Sequence, residues 1–249
     1  MNKQGKHDRR FRRAAVLGAG VMGSGIAAHL AGAGLDVLLL DIVPPDLAPA
    51  AATDKKARNR FAAGGVDRLR TSKPSLIFHQ RDLERIRVGN LEDDLAEAAK
   101  ADIVIEAVRE DLNVKQALFA KMEPLLGAQT VLASNTSGLP IGKLMAGRSA
   151  DMRRRFLVTH FFNPVRYMRL LELVSGEETD PEVLSQVAEF GETQLGKGIV
   201  YGKDTTNFVA NRIGIYGMMG LIAEALAAGF TVEEVDAIFG PPLGRPKSA

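Results

Sequence analysis

A chain of 249 residues with a formal net charge of +2, 46% hydrophobic and 25% charged residues has room for one large domain, or a domain and part of another, and the make-up of a soluble globular protein. The absence of cysteine excludes a disulfide framework, a thiolate metal site and a cysteine nucleophile, and the four histidines (His7, His29, His79, His160) have no metal-ligand spacing. No basic clusters interleaved with aromatics mark a nucleic-acid surface. The N-terminus lacks the apolar core of a signal peptide, so a cytoplasmic protein is expected. Residues 1–11 read as a basic tail without fixed structure.

The segment Ala14–Asp41 organises the rest. Ala14–Leu17 reads as a short apolar strand running into Gly18-Ala19-Gly20-Val21-Met22-Gly23, then a helix with Val21, Ile26, Ala27 and Leu30 at helical spacing, ended by Gly32 and Gly34. Ala14–Leu35 carries no Asp, Glu, Lys or Arg, but its glycines and strand–turn–helix reading argue against a membrane span. A second strand, Val37–Leu40, is wholly apolar, as expected for a parallel strand buried on both faces, and finishes on Asp41. Strand, Gly-x-Gly-x-x-Gly, helix, strand, acid is the full context of a dinucleotide site. Gly18 allows the tight turn, Gly20 the approach of a pyrophosphate, and Gly23 close helix packing, while the helix N-terminus faces the phosphates. Asp41 lies 18 residues after Gly23 and suits a ribose diol. It repels a 2′-phosphate, and Ile42-Val43-Pro44-Pro45 offers no cation to offset that. NAD is therefore expected over NADP.

Beyond Pro44-Pro45 the residues Asp54–Leu69 read as a basic helix with Lys55, Lys56, Arg58, Arg60 and Arg68, Arg70 following just after it: a solvated face or a clamp for an anionic substrate. Ile86–Val88 is a weak strand, Leu91–Ala99 a short acidic helix, and Ile103–Ile105 a buried strand ending at Glu106. Val114–Leu126 is amphipathic, and Thr130–Ala133 is a strand leading into Ser134–Gly138. Repeated strand–helix alternation predicts an α/β fold with a doubly wound, mostly parallel sheet of Rossmann type. Ligands in such sheets sit beyond the carboxyl ends of the strands, which draws attention to Glu106, Glu110, Lys115 and Ser134–Ser137.

Phe156–Phe162 and Met168–Val174 read as two strands of a hairpin turning near Arg166. His160 and Glu172 are equidistant from that turn, so they become direct cross-strand partners. A carboxylate opposite a histidine fixes its tautomer and suits a general base; a structural ion pair is the alternative. Pro181–Gln194 is a further helix and Gly198–Tyr201 a strand. Asp204–Asn207 resembles an N-cap for a long helix Phe208–Ala228, apolar on most sides, and Thr231-Val232-Glu233-Glu234 is a capping box. The domains are thus expected at 12–203 and 204–249, the latter the beginning of an all-helical C-terminal domain, apparently truncated. A helix apolar nearly all round needs cover, so self-association or a homodimer through 208–239 is expected.

The stretches GAGVMGSGIA (Gly18–Ala27), IEAVREDLNVKQALF (Ile105–Phe119), ASNTSGLPI (Ala133–Ile141), THFFNPVRYMRLLELV (Thr159–Val174), LGKGIVYGKDT (Leu195–Thr205) and FVANRIG (Phe208–Gly214) resemble the L-3-hydroxyacyl-CoA dehydrogenase family. The middle region is similar to the branch in which this module opens a fusion with an enoyl-CoA hydratase-like module. The resemblance implies NAD-dependent oxidation of an L-3-hydroxyacyl-CoA to the 3-oxoacyl-CoA, a fatty-acid β-oxidation step. It implies His160 as the base, Glu172 as its orienting partner, and Ser137 and Asn211 as holders of the substrate hydroxyl and thioester region. It implies that Gly18, Ala19, Gly20, Val21, Met22, Gly23, Asp41, Glu110, Lys115, Ser137 and Asn163 line the NAD site. The basic segment after Asp41 falls where the family places coenzyme A. No metal, nucleic acid or membrane is implied. The family's Asp-Thr-Pro-Gly-Phe is replaced here by Asp204-Thr205-Thr206-Asn207-Phe208, which bears on the helix entry and on Asn211. A dehydrogenase of a small 3-hydroxy acid or sugar acid, and a non-catalytic NAD-binding module of a fusion protein, are the other readings.

Overall fold

The computed structural model describes residues 10–244. They fall into two compact units that divide between Thr206 and Asn207. Unit 1 is built on one eight-stranded sheet: β1 (Arg13–Leu17), β2 (Asp36–Asp41), β3 (Ile86–Asn90), β4 (Ile103–Glu106), β5 (Val131–Ser134), β6 (Phe156–Phe161), β7 (Leu170–Ser175) and β8 (Gly198–Gly202). The spatial order is β3-β2-β1-β4-β5-β6-β7-β8. All pairings are parallel except β6 with β7. Order reverses between β1 and β4, the switch point at which doubly wound sheets open a crevice.

The helices of unit 1 are α1 (Val21–Gly32), α2 (Lys55–Arg58), α3 (Arg60–Thr71), α4 (Leu95–Ala98), α5 (Leu112–Met122), α6 (Ile141–Leu144), α7 (Ala150–Arg154) and α8 (Pro181–Thr193). Strands β1, β2, β4 and β5 are continuous apolar runs because helices cover both faces. One core joins α1, α3 and α8 to the sheet through Ile26, Leu30, Val66, Leu69, Val187 and Phe190, with alternate strand residues such as Val16, Leu39 and Phe161.

Four expectations are corrected. Phe11, assigned to the unstructured tail, is 2% exposed and meets Phe190 edge-on, ring centroids 4.8 Å apart; the rest of the tail expectation, for residues 1–9, lies outside the described residues. The helix expected over Asp54–Leu69 divides at Asn59, whose side-chain oxygen accepts from Asn90 Nδ2 at 2.7 Å. The acidic helix Leu91–Ala99 shrinks to α4 because Asn90 Oδ1 accepts the backbone N–H groups of Glu92 and Asp93, folding them into an Asx turn. Lastly, Asp204 caps no following helix: its carboxylate accepts from Ile141 N at 3.0 Å.

In unit 2, Asn207 and Phe208 lie at positive φ (63° and 46°), which stops a helix from beginning at Phe208. Helix α9 (Ala210–Ala227) starts two residues later, and α10 (Val232–Phe239) opens on the expected Thr231–Glu234 capping box. Of α9 only Ala225 is buried, and Ile213, Tyr216, Met219 and Leu226 are all more than half exposed. Among the described residues no helix is long and apolar enough to cross a membrane.

Candidate active site

The glycine-rich turn is held by two peptide groups pulled in opposite directions. Ala19 N–H donates to Asp41 Oδ2 at 2.7 Å, across the end of β2, while the Ala19 carbonyl accepts from Ser24 Oγ at 2.9 Å and Arg68 NH2 at 2.6 Å. The second carboxylate oxygen of Asp41 accepts the N–H of Ile42 at 2.7 Å. Gly18 adopts φ 104°, and a side chain there would lie 2.5 Å from the Ala107 carbonyl oxygen at the end of β4. A side chain at Gly23 would strike the Gly18 carbonyl oxygen, so helix and turn interlock only with glycine at both places.

Gly20 differs: a Cβ there meets nothing within 4 Å, because it faces a cleft of about 700 Å³. Gly18, Asp41, Ile42, Ala107 and Val108 line the same cleft at the switch point. Gly20 is also the N-cap of α1 and brings no side-chain acceptor to the helix N-terminus. Open space over Gly20, a positive helix end and a carboxylate at the rim fit a dinucleotide.

Beyond β4 and β5 lies a polar network on α5. Lys115 is 1% exposed, with its ammonium 2.6 Å from Glu106 Oε1 and 3.2 Å from Glu110 Oε2. Glu106, fully buried, also accepts from Ser134 Oγ at 2.5 Å and Val108 N at 2.7 Å. Burial pushes the Glu106 carboxyl up, and the Lys115 ammonium and Ser134 hydroxyl offset part of that. For Glu110 partial burial acts upward too, but the Thr136 hydroxyl, the Lys115 charge and the Ser137 N–H outweigh it and hold the carboxyl below its ordinary value. Glu110 thereby grips the loop carrying Ser137, whose N–H is 3.0 Å away. Lys115 itself is buried beneath this surface, its ammonium held between the two carboxylates.

The register of β6 and β7 sets His160 directly opposite Glu172. His160 Nδ1 lies 2.7 Å from Glu172 Oε2, with Glu172 fully buried and His160 5% exposed. A buried carboxylate on Nδ1 fixes a proton there, which leaves Nε2 as the ring's acceptor nitrogen. Asn135 Oδ1 accepts from Phe161 N at 2.9 Å and so ties the Ser137 loop to the histidine strand. Asn163 is exposed just past the end of β6, and Asn211 is the second residue of α9 in unit 2.

The basic segment is less available than its composition suggests. Arg58 is paired with Glu92 and Asp93, Arg60 with Asp46, and Arg70 lies 3.9 Å from Asp67. Lys55, Lys56, Arg60, Arg68 and Arg70 are all exposed, but Arg60 faces Asp46, Arg70 lies near Asp67 and Arg68 donates to the Ala19 carbonyl. Two residues were not anticipated. Arg68 reaches the turn from 49 residues away, and the 5%-exposed Lys197 donates to the carbonyls of Val165 (2.5 Å) and Met168 (2.8 Å), its burial lowering its pKa to about 8. Neither position carries a sequence signal that distinguishes it from other surface cations.

A doubly wound sheet whose first turn is cut from glycine and closed by an acid at the next strand end is a dinucleotide-binding domain. Residues 13–205 match the family model described as 3-hydroxyacyl-CoA dehydrogenase, NAD binding domain. The chain belongs to that family, and NAD is its cofactor. It is 47% identical over 244 residues to a probable 3-hydroxyacyl-CoA dehydrogenase of Bacillus subtilis, covering 96% of this chain and 31% of that protein. It is 45% identical over 240 residues to a protein of the same description from Deinococcus radiodurans, covering 96% and 67%. The crystal structure of M. tuberculosis FadB2 superposes with a TM-score of 0.74 at 33% identity, over 96% of this chain and 80% of that one. The chain thus spans about a third of the Bacillus relative and two thirds of the Deinococcus relative.

Proposed function

We propose that the protein oxidises an L-3-hydroxyacyl-CoA to the 3-oxoacyl-CoA, with His160 as general base. The observation that carries this reading is the buried His160–Glu172 contact of 2.7 Å, made within β6 and β7 with His160 next to last in β6, in the same sheet whose β1 and β2 hold the dinucleotide turn. NAD, when bound, supplies the hydride acceptor for C3 of the substrate. His160 Nε2 takes the hydroxyl proton, and Glu172 stabilises the imidazolium that results. Ser137, fixed by Glu110, and Asn211 are assigned to the hydroxyl and thioester region. Asn163 and Glu110 are assigned to the cofactor, and Lys115 acts on it through Glu110. The test is NADH formation by the intact protein across short, medium and long 3-hydroxyacyl-CoAs. NAD binding without turnover of any of them sinks the reading and favours a non-catalytic module. The ion pairing of Arg58 and Arg60 favours, as a second reading, a small 3-hydroxy acid that needs no coenzyme A clamp; turnover of such acids and not of the thioesters would select it.

Asp41 supports NAD over NADP because its carboxylate repels a 2′-phosphate, and it supports binding of either dinucleotide by holding Ala19 of the turn. Asp41→Asn is expected to weaken NAD binding by roughly tenfold, the scale of one charge-assisted hydrogen bond, and to narrow the NAD preference. If the unaltered protein binds NADP as tightly as NAD, this role is wrong.

The exposed apolar residues of α9 and α10 support self-association through 208–239, since a surface of this kind on a monomer is an association site. Light scattering on the 249-residue chain is expected to give a mass above that of a monomer. A monomer whose α9 amides resist hydrogen exchange would overturn the assignment.

A further inference from the structure

Helix α3 is pressed onto the dinucleotide turn at Gly65. A Cβ there would lie 2.6 Å from Ser24 Oγ and 3.0 Å from both Cβ and O of Ala19. Three residues further on, Arg68 donates to the Ala19 carbonyl, the atom that Ser24 Oγ also meets. In a trans peptide the carbonyl of one residue and the N–H of the next point in opposite directions, and among the described residues only the Lys73–Pro74 and Asn163–Pro164 bonds are cis. A carbonyl of Ala19 drawn toward α3 therefore turns the Gly20 N–H away from α3, and Gly20 itself lines the cleft. The preceding peptide obeys the same rule. Ala19 N–H drawn to Asp41 directs the Gly18 carbonyl toward Gly23, the very contact that excludes a side chain there.

We propose that Arg68 is a positioning residue of the dinucleotide site, which orients the Ala19–Gly20 peptide so that the Gly20 N–H is presented to the cofactor's pyrophosphate. Its guanidinium is spent on the turn and not on the substrate. The inference rests on dinucleotide binding and is independent of the dehydrogenase chemistry.

Calorimetric titration of the intact protein with NAD, ADP and adenosine tests it. Arg68→Met is expected to weaken NAD and ADP by about tenfold, the loss of one charge-assisted hydrogen bond, while adenosine, which has no phosphate, binds as before. Gly65→Ala keeps the guanidinium but pushes α3 off the turn, and the same selective loss is expected. A residue that merely stabilises the fold would lower all three ligands together or none. Wild-type affinity for ADP in both variants overturns the proposal, as does an equal loss of adenosine. A rise in KM for the acyl-CoA with unchanged ADP binding also overturns it and returns Arg68 to a substrate clamp. Failure of the unaltered protein to bind ADP counts against the dinucleotide site itself and is distinguishable from all of these.

Discussion

His160→Gln is expected to leave NAD affinity close to that of the unaltered protein and to lower turnover by roughly 10²–10⁴, the contribution of a positioned general base. Glutamine can keep a hydrogen bond to Glu172 through its amide, so the β6–β7 pairing survives. It has no nitrogen that accepts a proton. The site is 5% exposed at His160, which leaves little room for water to take over. Glu172→Gln is expected to lower turnover as well, because the imidazolium loses its buried countercharge while the side-chain volume is retained. Steady-state rates at saturating NAD, with a separate NAD titration, provide the check. Near-normal turnover in His160→Gln would reduce the pair to a structural contact inside the sheet.

Lys115→Met is expected to cost about 3–5 kcal/mol of stability, the penalty for leaving one member of a buried ion pair without its partner. Methionine fills a similar volume, so the loss is electrostatic: Glu106, with no exposure, loses the ammonium 2.6 Å away. The sign of the pH effect follows. Burial already raises the Glu106 pKa, and removing Lys115 raises it further, so the deficit is present above that pKa and fades as acid protonates the carboxyl. Urea unfolding should therefore show a larger gap between the two proteins at neutral than at mildly acidic pH. Adding Glu106→Gln should recover much of the loss. A wild-type urea midpoint in Lys115→Met would show that the pair contributes nothing to stability.

The features read correctly from the sequence are those fixed by short-range rules. Three glycines at set spacing, a helix and an acid at a strand end define the turn before any coordinates exist. Equal distance from a hairpin turn places His160 opposite Glu172, because strand register is arithmetic once the turn is known. What escaped reading depends on partners far along the chain. Asn59 breaks a helix because Asn90, 31 residues away, bonds its side chain. Asp204 has the residue type of an N-cap, yet its carboxylate is taken by Ile141, 63 residues back. Phe11 follows a basic run that reads as solvated, but Phe190 receives its ring. Arg68 and Arg58 look alike in sequence, and only the packing of α3 at Gly65 separates a turn clamp from a surface ion pair.

The order of the strands has a consequence for how the protein is made. β1 sits between β2 and β4, so the half of the sheet from the β3 edge through β4 is made of the first 106 residues, whereas β7 and β8, which run the other way, form the opposite edge. Gly18, Gly20, Asp41, Arg68 and Ala107 are all in hand before His160 has been synthesised. A nascent chain thus owns a cradle for NAD well ahead of any proton acceptor.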